Sequence, residues 1–138
     1  MKEGFNIIEE ITLPADFQSL VDVENLVEKV CQTVGVQEDA FGNVLIAVTE
    51  AVNNAIQHGN KMNKNLNVDL FVGDKETDFC FSVKDAGQGF DFENLADPTA
   101  PENIEKEDGR GIFLMKSLAE EVAFFDNGSN VQIYFTKK

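Results

Sequence analysis

The sequence predicts an α+β fold, with helices on one face of a mixed, mostly antiparallel sheet. Three observations carry that expectation. Apolar periodicity runs in the order strand, two helices, two strands, loop, helix, two strands. Two pairs of neighbouring strands are joined by short turns, one charged and one built on Asn127-Gly128. The regular strand–helix–strand alternation of a doubly wound nucleotide fold is missing.

Each element has its own signal. Residues 5–13 are rich in Ile and end at Pro14, which reads as a first strand. Residues 17–34 carry Leu20, Val23, Leu26, Val27 and Val30 at helical spacing, with Gly35 as the stop. Residues 37–58 read as a second, longer helix closed by Gly59. Its apolar stripe is Phe41, Leu45, Val48, Val52, Ala55 and Ile56, expected to face the sheet. Residues 66–73 and 78–84 read as two strands of a hairpin. Residues 90–108 hold Pro98, Pro101 and many acids without periodicity, which reads as a long loop. Helical spacing resumes over 111–119, and 121–126 and 130–136 read as the last two strands.

The 138 residues fit one domain, taken as 1–138, and 43% of them are apolar, enough for one sizeable core. Twelve Phe and no Trp make that core rich in Phe and aliphatic side chains. With 25 acidic residues against 11 basic ones, the formal charge is −14. No Lys/Arg run offers the basic face that nucleic acid requires, so a nucleic-acid partner is not expected. The acidity suits a solvated surface or a basic protein partner. Cys31 and Cys80 lie far apart in apolar patterns and read as buried free thiols, without metal-ligand spacing. No signal-peptide pattern opens the chain, and no apolar run approaches the ~20 residues that span a bilayer. A cytoplasmic protein without membrane attachment is the expectation.

Three segments can carry chemistry. Glu50, Asn54 and His58 are spaced by four on the second helix and share an edge apart from the apolar stripe. A carboxylate and an amide oxygen one turn apart can serve a hard cation with its waters, and Glu50 can take a proton from an attacking hydroxyl. The same edge also fits an ordinary polar face. His58, in the last helical turn, fits an interaction with terminal carbonyls better than phosphoacceptor chemistry. Asp85-Ala86-Gly87-Gln88-Gly89 directly follows a strand. Such a turn lets a flat ring or phosphate approach the backbone, and Asp85 can accept a hydrogen bond from an exocyclic amine. A plain Gly-rich turn has the same composition. Gly109-Arg110-Gly111 opens a helix, where free N–H groups and the dipole favour phosphate and Arg110 adds a charged donor. A hinge after a loop fits that tripeptide as well. Because basic side chains are few, a metal and backbone amides would have to neutralise a triphosphate.

The joint order is more specific than its parts. Glu50-Ala-Val-Asn-Asn54-Ala-Ile-Gln-His58-Gly59, then Asp85-Ala-Gly87-Gln-Gly89, then Gly109-Arg-Gly111-Ile-Phe-Leu-Met resembles the N, G1 and G2 boxes of the GHKL ATPases. Within them the chain is most similar to the anti-sigma factor serine-protein kinases of bacterial partner switching, over nearly its whole length. Asp97-Pro-Thr-Ala-Pro101 and the run 109–118 are similar to that group as well. The resemblance implies a Bergerat-type two-layer sandwich that holds ATP and Mg²⁺ between the long helix and a lid over about 90–108. It implies Glu50 as catalytic base and Asn54 as Mg²⁺ ligand. It implies Asp85, Gly87 and Gly89 around the adenine, and Gly109, Arg110 and Gly111 on the phosphate side. Ser129 would be the hydroxyl residue near the adenine on the late strand. The implied reaction moves the γ-phosphoryl of ATP to a Ser or Thr of a STAS-domain antagonist. The implied partners are that antagonist and a sigma factor or other regulator, often with the kinase as a homodimer. Two other readings stay open: a non-catalytic nucleotide-binding module that sequesters a partner, and an acidic interaction domain that binds no nucleotide.

Overall fold

The computed structural model describes residues 1–61, 63–87 and 110–137, with the side chains of Arg110 and Asn127 left aside. The strands are β1 (Asn6–Pro14), β2 (Asn67–Asp74), β3 (Asp78–Lys84), β4 (Glu121–Phe125) and β5 (Asn130–Thr136). The α-helices are α1 (Ser19–Val34), α2 (Glu38–Asn54) and α3 (Arg110–Leu118). The described strands form one sheet in the order β1-β2-β3-β5-β4, and every pairing is antiparallel. The expected α+β class therefore holds, with a sheet that is antiparallel throughout.

Strand β3 lies in the middle and is buried on both faces. Phe79, Phe81 and Val83 alternate with Cys80 and Ser82, as the two-residue period of a strand requires. The first set joins Leu70, Val72, Ile133 and Phe135 in the core beneath the helices. Each such side chain contributes about 1.5–3 kcal/mol through burial. On the other face, Tyr134 donates to Gln132 Oε1 at 2.7 Å and accepts from the Lys2 amide at 3.0 Å. Phe5 meets the Tyr134 ring edge-on at 5.5 Å, so the first residues of the chain cover this side of the sheet. Pro14 is the last residue of β1 rather than the residue after it. An edge strand accepts proline at its end because no inner ladder needs the missing N–H.

Helix α1 buries Val23, Leu26, Val27, Val30 and Cys31 and closes at Gly35, whose φ is 79°. Helix α2 touches α1, α3 and the strands β3 and β5. Its buried face is Val44, Ala47, Val48, Ala51 and Val52, continued by Ala55 and Ile56. Phe41 and Leu45, expected on that face, are only partly buried at its flank. The reason is size. A stripe read from large side chains overlooks Ala47 and Ala51, yet small residues suit the crowded side of a helix packed against several neighbours.

The expected helix over 37–58 also changes character. Regular α-helix ends at Asn54, and Ala55–Gly59 forms a π-turn closed by the Asn60 N–H on the Ala55 carbonyl at 2.8 Å. At the other hairpin, β4 stops at Phe125 rather than Asp126, because Asp126 turns to a φ of 53°.

Both cysteines are free and buried. Burial pushes the Cys31 thiol up to about 11 and the Cys80 thiol up to about 12. Among the described residues, no helix is long and apolar enough to cross a membrane.

Candidate functional site

Two clusters of candidate residues meet between α2, α3 and the end of β3. The first is built on α2. Glu50 and Asn54 are partly buried one helical turn apart. A Cβ placed on Gly111, the second residue of α3, would lie 3.0 Å from both Glu50 Oε2 and Asn54 Nδ2. The start of α3 is therefore seated on the Glu50/Asn54 edge, and a side chain at this position would press on the ends of both. Ile112 and Met115 anchor α3 by burial, at 5% and 1% exposure. His58, third of the spaced set, is exposed in the π-turn.

The donor set suits a hard cation. It offers one carboxylate and one amide, with Asn54 Oδ1 at 3.4 Å from the same Cβ point. Among the described residues, no group of three or more His, Cys, Asp or Glu could form a protein-only metal cage. A cation held here would complete its shell with waters and phosphate oxygens, which is the habit of Mg²⁺.

The second cluster is the loop after β3. Asp85 is 7% exposed. Its N–H donates to the Ser129 carbonyl at 2.8 Å, and its Oδ1 accepts from the Gly87 N–H at 2.8 Å. Burial raises the Asp85 carboxyl above its ordinary value, and the Gly87 bond partly offsets that rise. Gly59 packs flush against this carboxylate, where any Cβ would collide with it; likewise a Cβ on Gly87 would strike the Gly59 carbonyl. Ser129 lies in the turn just before β5, not within the late strand, and its hydroxyl donates to the Asp126 carbonyl at 2.8 Å. It reaches Asp85 through its carbonyl.

Between the clusters lies a narrow cavity of about 10 Å³, room for roughly one water. Asn54 and Asp85 are its polar lining residues, and Ala51, Ala55, Val83, Met115, Phe124, Gly128 and Val131 supply the rest. The lining is apolar, with polar groups at its rim. Gly89, Gly109 and the lid over 90–108 lie outside the described residues, and Arg110 is described only as the first residue of α3.

Residues 13–136 match the family described as "Histidine kinase-like ATPase domain". The chain belongs to that family. Within it, Serine-protein kinase RsbW of Staphylococcus aureus strain JH9 is 31% identical over 135 residues, covering 93% of this chain and 84% of the relative. The same protein from strain Newman gives the same figures. The chain is thus a member of the RsbW-like serine-protein kinase group of these ATPases. Among solved structures, the RsbU and RsbW domains of Rv1364c from Mycobacterium tuberculosis align with a TM-score of 0.57 at 14% identity. That match covers 94% of this chain and 31% of the longer one, and it supports the fold alone.

Sequence reasoning missed several residues of this histidine kinase-like site. Gly59 reads as a helix stop, yet it is the surface on which Asp85 rests. Met115, Phe124 and Gly128 wall the cavity; Met115 ends the quoted glycine-box run and Gly128 belongs to the Asn127-Gly128 turn, but neither signal points to a cavity wall. Asn60, directly after the π-turn, is 1% exposed and reaches the Asp85 loop. The doubled signal of a glycine followed by an amide after a polar helix edge is the only hint the sequence holds of it.

Proposed function

We propose that this chain is an Mg²⁺- and ATP-dependent serine/threonine kinase of the anti-sigma factor type. It phosphorylates a STAS-domain antagonist and exchanges that partner for a sigma factor or comparable regulator, working in the cytoplasm as a homodimer. The observation that carries the reading is the seating of Gly111 on Glu50 and Asn54, with Asp85 across the same pocket. A base-reading carboxylate and a metal-and-base edge then stand at opposite ends of one ligand.

In this reading Asp85 accepts a hydrogen bond from the exocyclic amine of adenine. Val83, Met115 and Phe124 enclose the ring. Asn54 holds Mg²⁺, and the start of α3, with Gly109, Arg110 and Gly111, faces the phosphates. Bound Mg²⁺ supplies charge neutralisation on the phosphate oxygens. Glu50 takes the proton of the attacking Ser or Thr hydroxyl as its oxygen bonds to the γ-phosphorus and ADP departs. Gly89 belongs to the adenine turn, and the segment 90–108 is the lid. Ser129 supports the adenine end by holding Asp85.

The test is transfer of labelled γ-phosphate from ATP to a cognate STAS protein. Glu50→Gln keeps ATP affinity and slows transfer by about 10²–10⁴-fold, the usual contribution of a positioned base. Transfer at the wild-type rate in Glu50→Gln removes Glu50 from the chemistry. ATP binding without transfer to any STAS partner replaces the kinase with a nucleotide-binding module that sequesters its partner.

A further inference from the structure

We infer that Asn60 is a positioning residue for adenine recognition: its side-chain amide locks the peptide after Asp85 onto the end of the helix that carries Glu50 and Asn54. The inference rests on the reading of Asp85 as the adenine acceptor and names what holds that acceptor in place.

Asn60 is 1% exposed, so each polar atom of its side chain needs a partner inside the protein. Both have one. Its Oδ1 accepts from the Ala86 N–H at 2.8 Å, and its Nδ2 donates to the Asn67 carbonyl at 2.9 Å. The orientation of the amide follows from its partners, since a backbone N–H needs an oxygen and a carbonyl needs an N–H. Its backbone is committed too. The Asn60 N–H closes the π-turn on Ala55 at 2.8 Å, and its carbonyl accepts from Asn63 at 3.0 Å. One residue therefore ties together the π-turn, the entry to β2 and the loop after β3.

The loop needs this tie. Asp85 is held from behind by its own N–H on Ser129, and its carboxylate folds back onto the Gly87 N–H. Between those two contacts lies the Asp85–Ala86 peptide, whose N–H is fixed by Asn60. Gly59, the neighbour of Asn60, forms the surface beneath the carboxylate. A π-turn supplies the geometry: widening the last helical turn places Gly59 and Asn60 side by side against the loop, and such turns are frequent at functional sites. Few side chains can replace Asn here. Asp has no donor for Asn67, and Ala or Leu offer no partner to either the Ala86 N–H or the Asn67 carbonyl.

The experiment compares ATP with inosine triphosphate, in which a carbonyl oxygen replaces the exocyclic amine. Dissociation constants for both are measured with Mg²⁺ on wild type, Asn60→Ala, Asp85→Asn and the double variant. Asp85→Asn lowers the preference for ATP by roughly tenfold or more, the scale of a charged hydrogen bond. Asn60→Ala lowers the same preference to a similar degree, and adds little once Asp85→Asn is present. The Ala86 amide, bonded to Asn60 Oδ1, is expected to exchange slowly in wild type and faster in Asn60→Ala. Asn60→Ser, whose hydroxyl is too short to span both contacts, serves if the alanine variant does not fold and carries the same expectation. If an Asn60 variant weakens both nucleotides equally and keeps the ratio, Asn60 only supports the fold and the inference is overturned. If Asp85→Asn itself leaves the ratio intact, the Asp85 reading falls and this inference with it.

Discussion

At the residue scale, Asp85 is the group proposed to read the base. A carboxylate buried beside a backbone N–H is an acceptor that water reaches poorly, so a ligand donor gains more from it than at the surface. Its raised pKa sets two opposite pH effects. The folded value lies above the ordinary 3.8, so the contribution of Asp85 to folding stability is full below 3.8 and is lost as pH rises through the raised value. Ligand binding runs the other way, because the ionised carboxylate is the stronger acceptor. Adenosine affinity, which avoids phosphate titration, should therefore fall on acidification while the pH is still above the ordinary carboxylate range. Asp85→Asn should flatten that profile. An unchanged slope in the variant would assign the pH dependence to another group.

At the element scale, the site is made by one helix end. Helix α2 places Glu50 and Asn54 on a shared edge, and the π-turn Ala55–Gly59 delivers Gly59 to the Asp85 carboxylate. Gly59→Ala would force a methyl group into that carboxylate. The expected loss is about 1–3 kcal/mol of folding stability, as for other overpacked interiors, together with a large loss of ATP affinity. Chemical denaturation and nucleotide titration of the same preparation read both quantities. A variant with full stability and full affinity would mean that the close approach of Gly59 does not shape the site. Helix α3 does the complementary work, since Gly111 rests closely on Glu50 and Asn54.

At the scale of the whole molecule, the sequence carried most of the fold because its signals are local and periodic. Alternation marks β3 and β5 to the residue, and Gly35 marks the end of α1. The misplaced stripe of α2 has a physical source. Ala47 and Ala51 are weakly hydrophobic, and their burial follows from how closely the neighbouring elements approach. The π-turn was illegible for a similar reason: Ala-Ile-Gln-His-Gly is acceptable α-helix until the Asp85 loop claims the space beside it. The site divides in the same way. Glu50 and Asn54 could be paired from spacing alone, but their meeting with Gly111 depends on tertiary packing, as does the tie from Asn60 to Ala86. The surface salt bridges, such as Lys29 to the partly exposed Glu9 at 2.8 Å, add little to either.

With 11 basic side chains against 25 acidic ones, the proposed triphosphate site relies on a metal and backbone amides for most of its charge neutralisation. Calorimetric titration of the wild-type chain with ATP, in Mg²⁺ and then in chelator, measures that dependence directly. The expected result is one nucleotide bound per chain in Mg²⁺ and an affinity about tenfold or more weaker without it, at least about 1.4 kcal/mol. Absence of heat with Mg-ATP, or equal affinity with and without the metal, would contradict it.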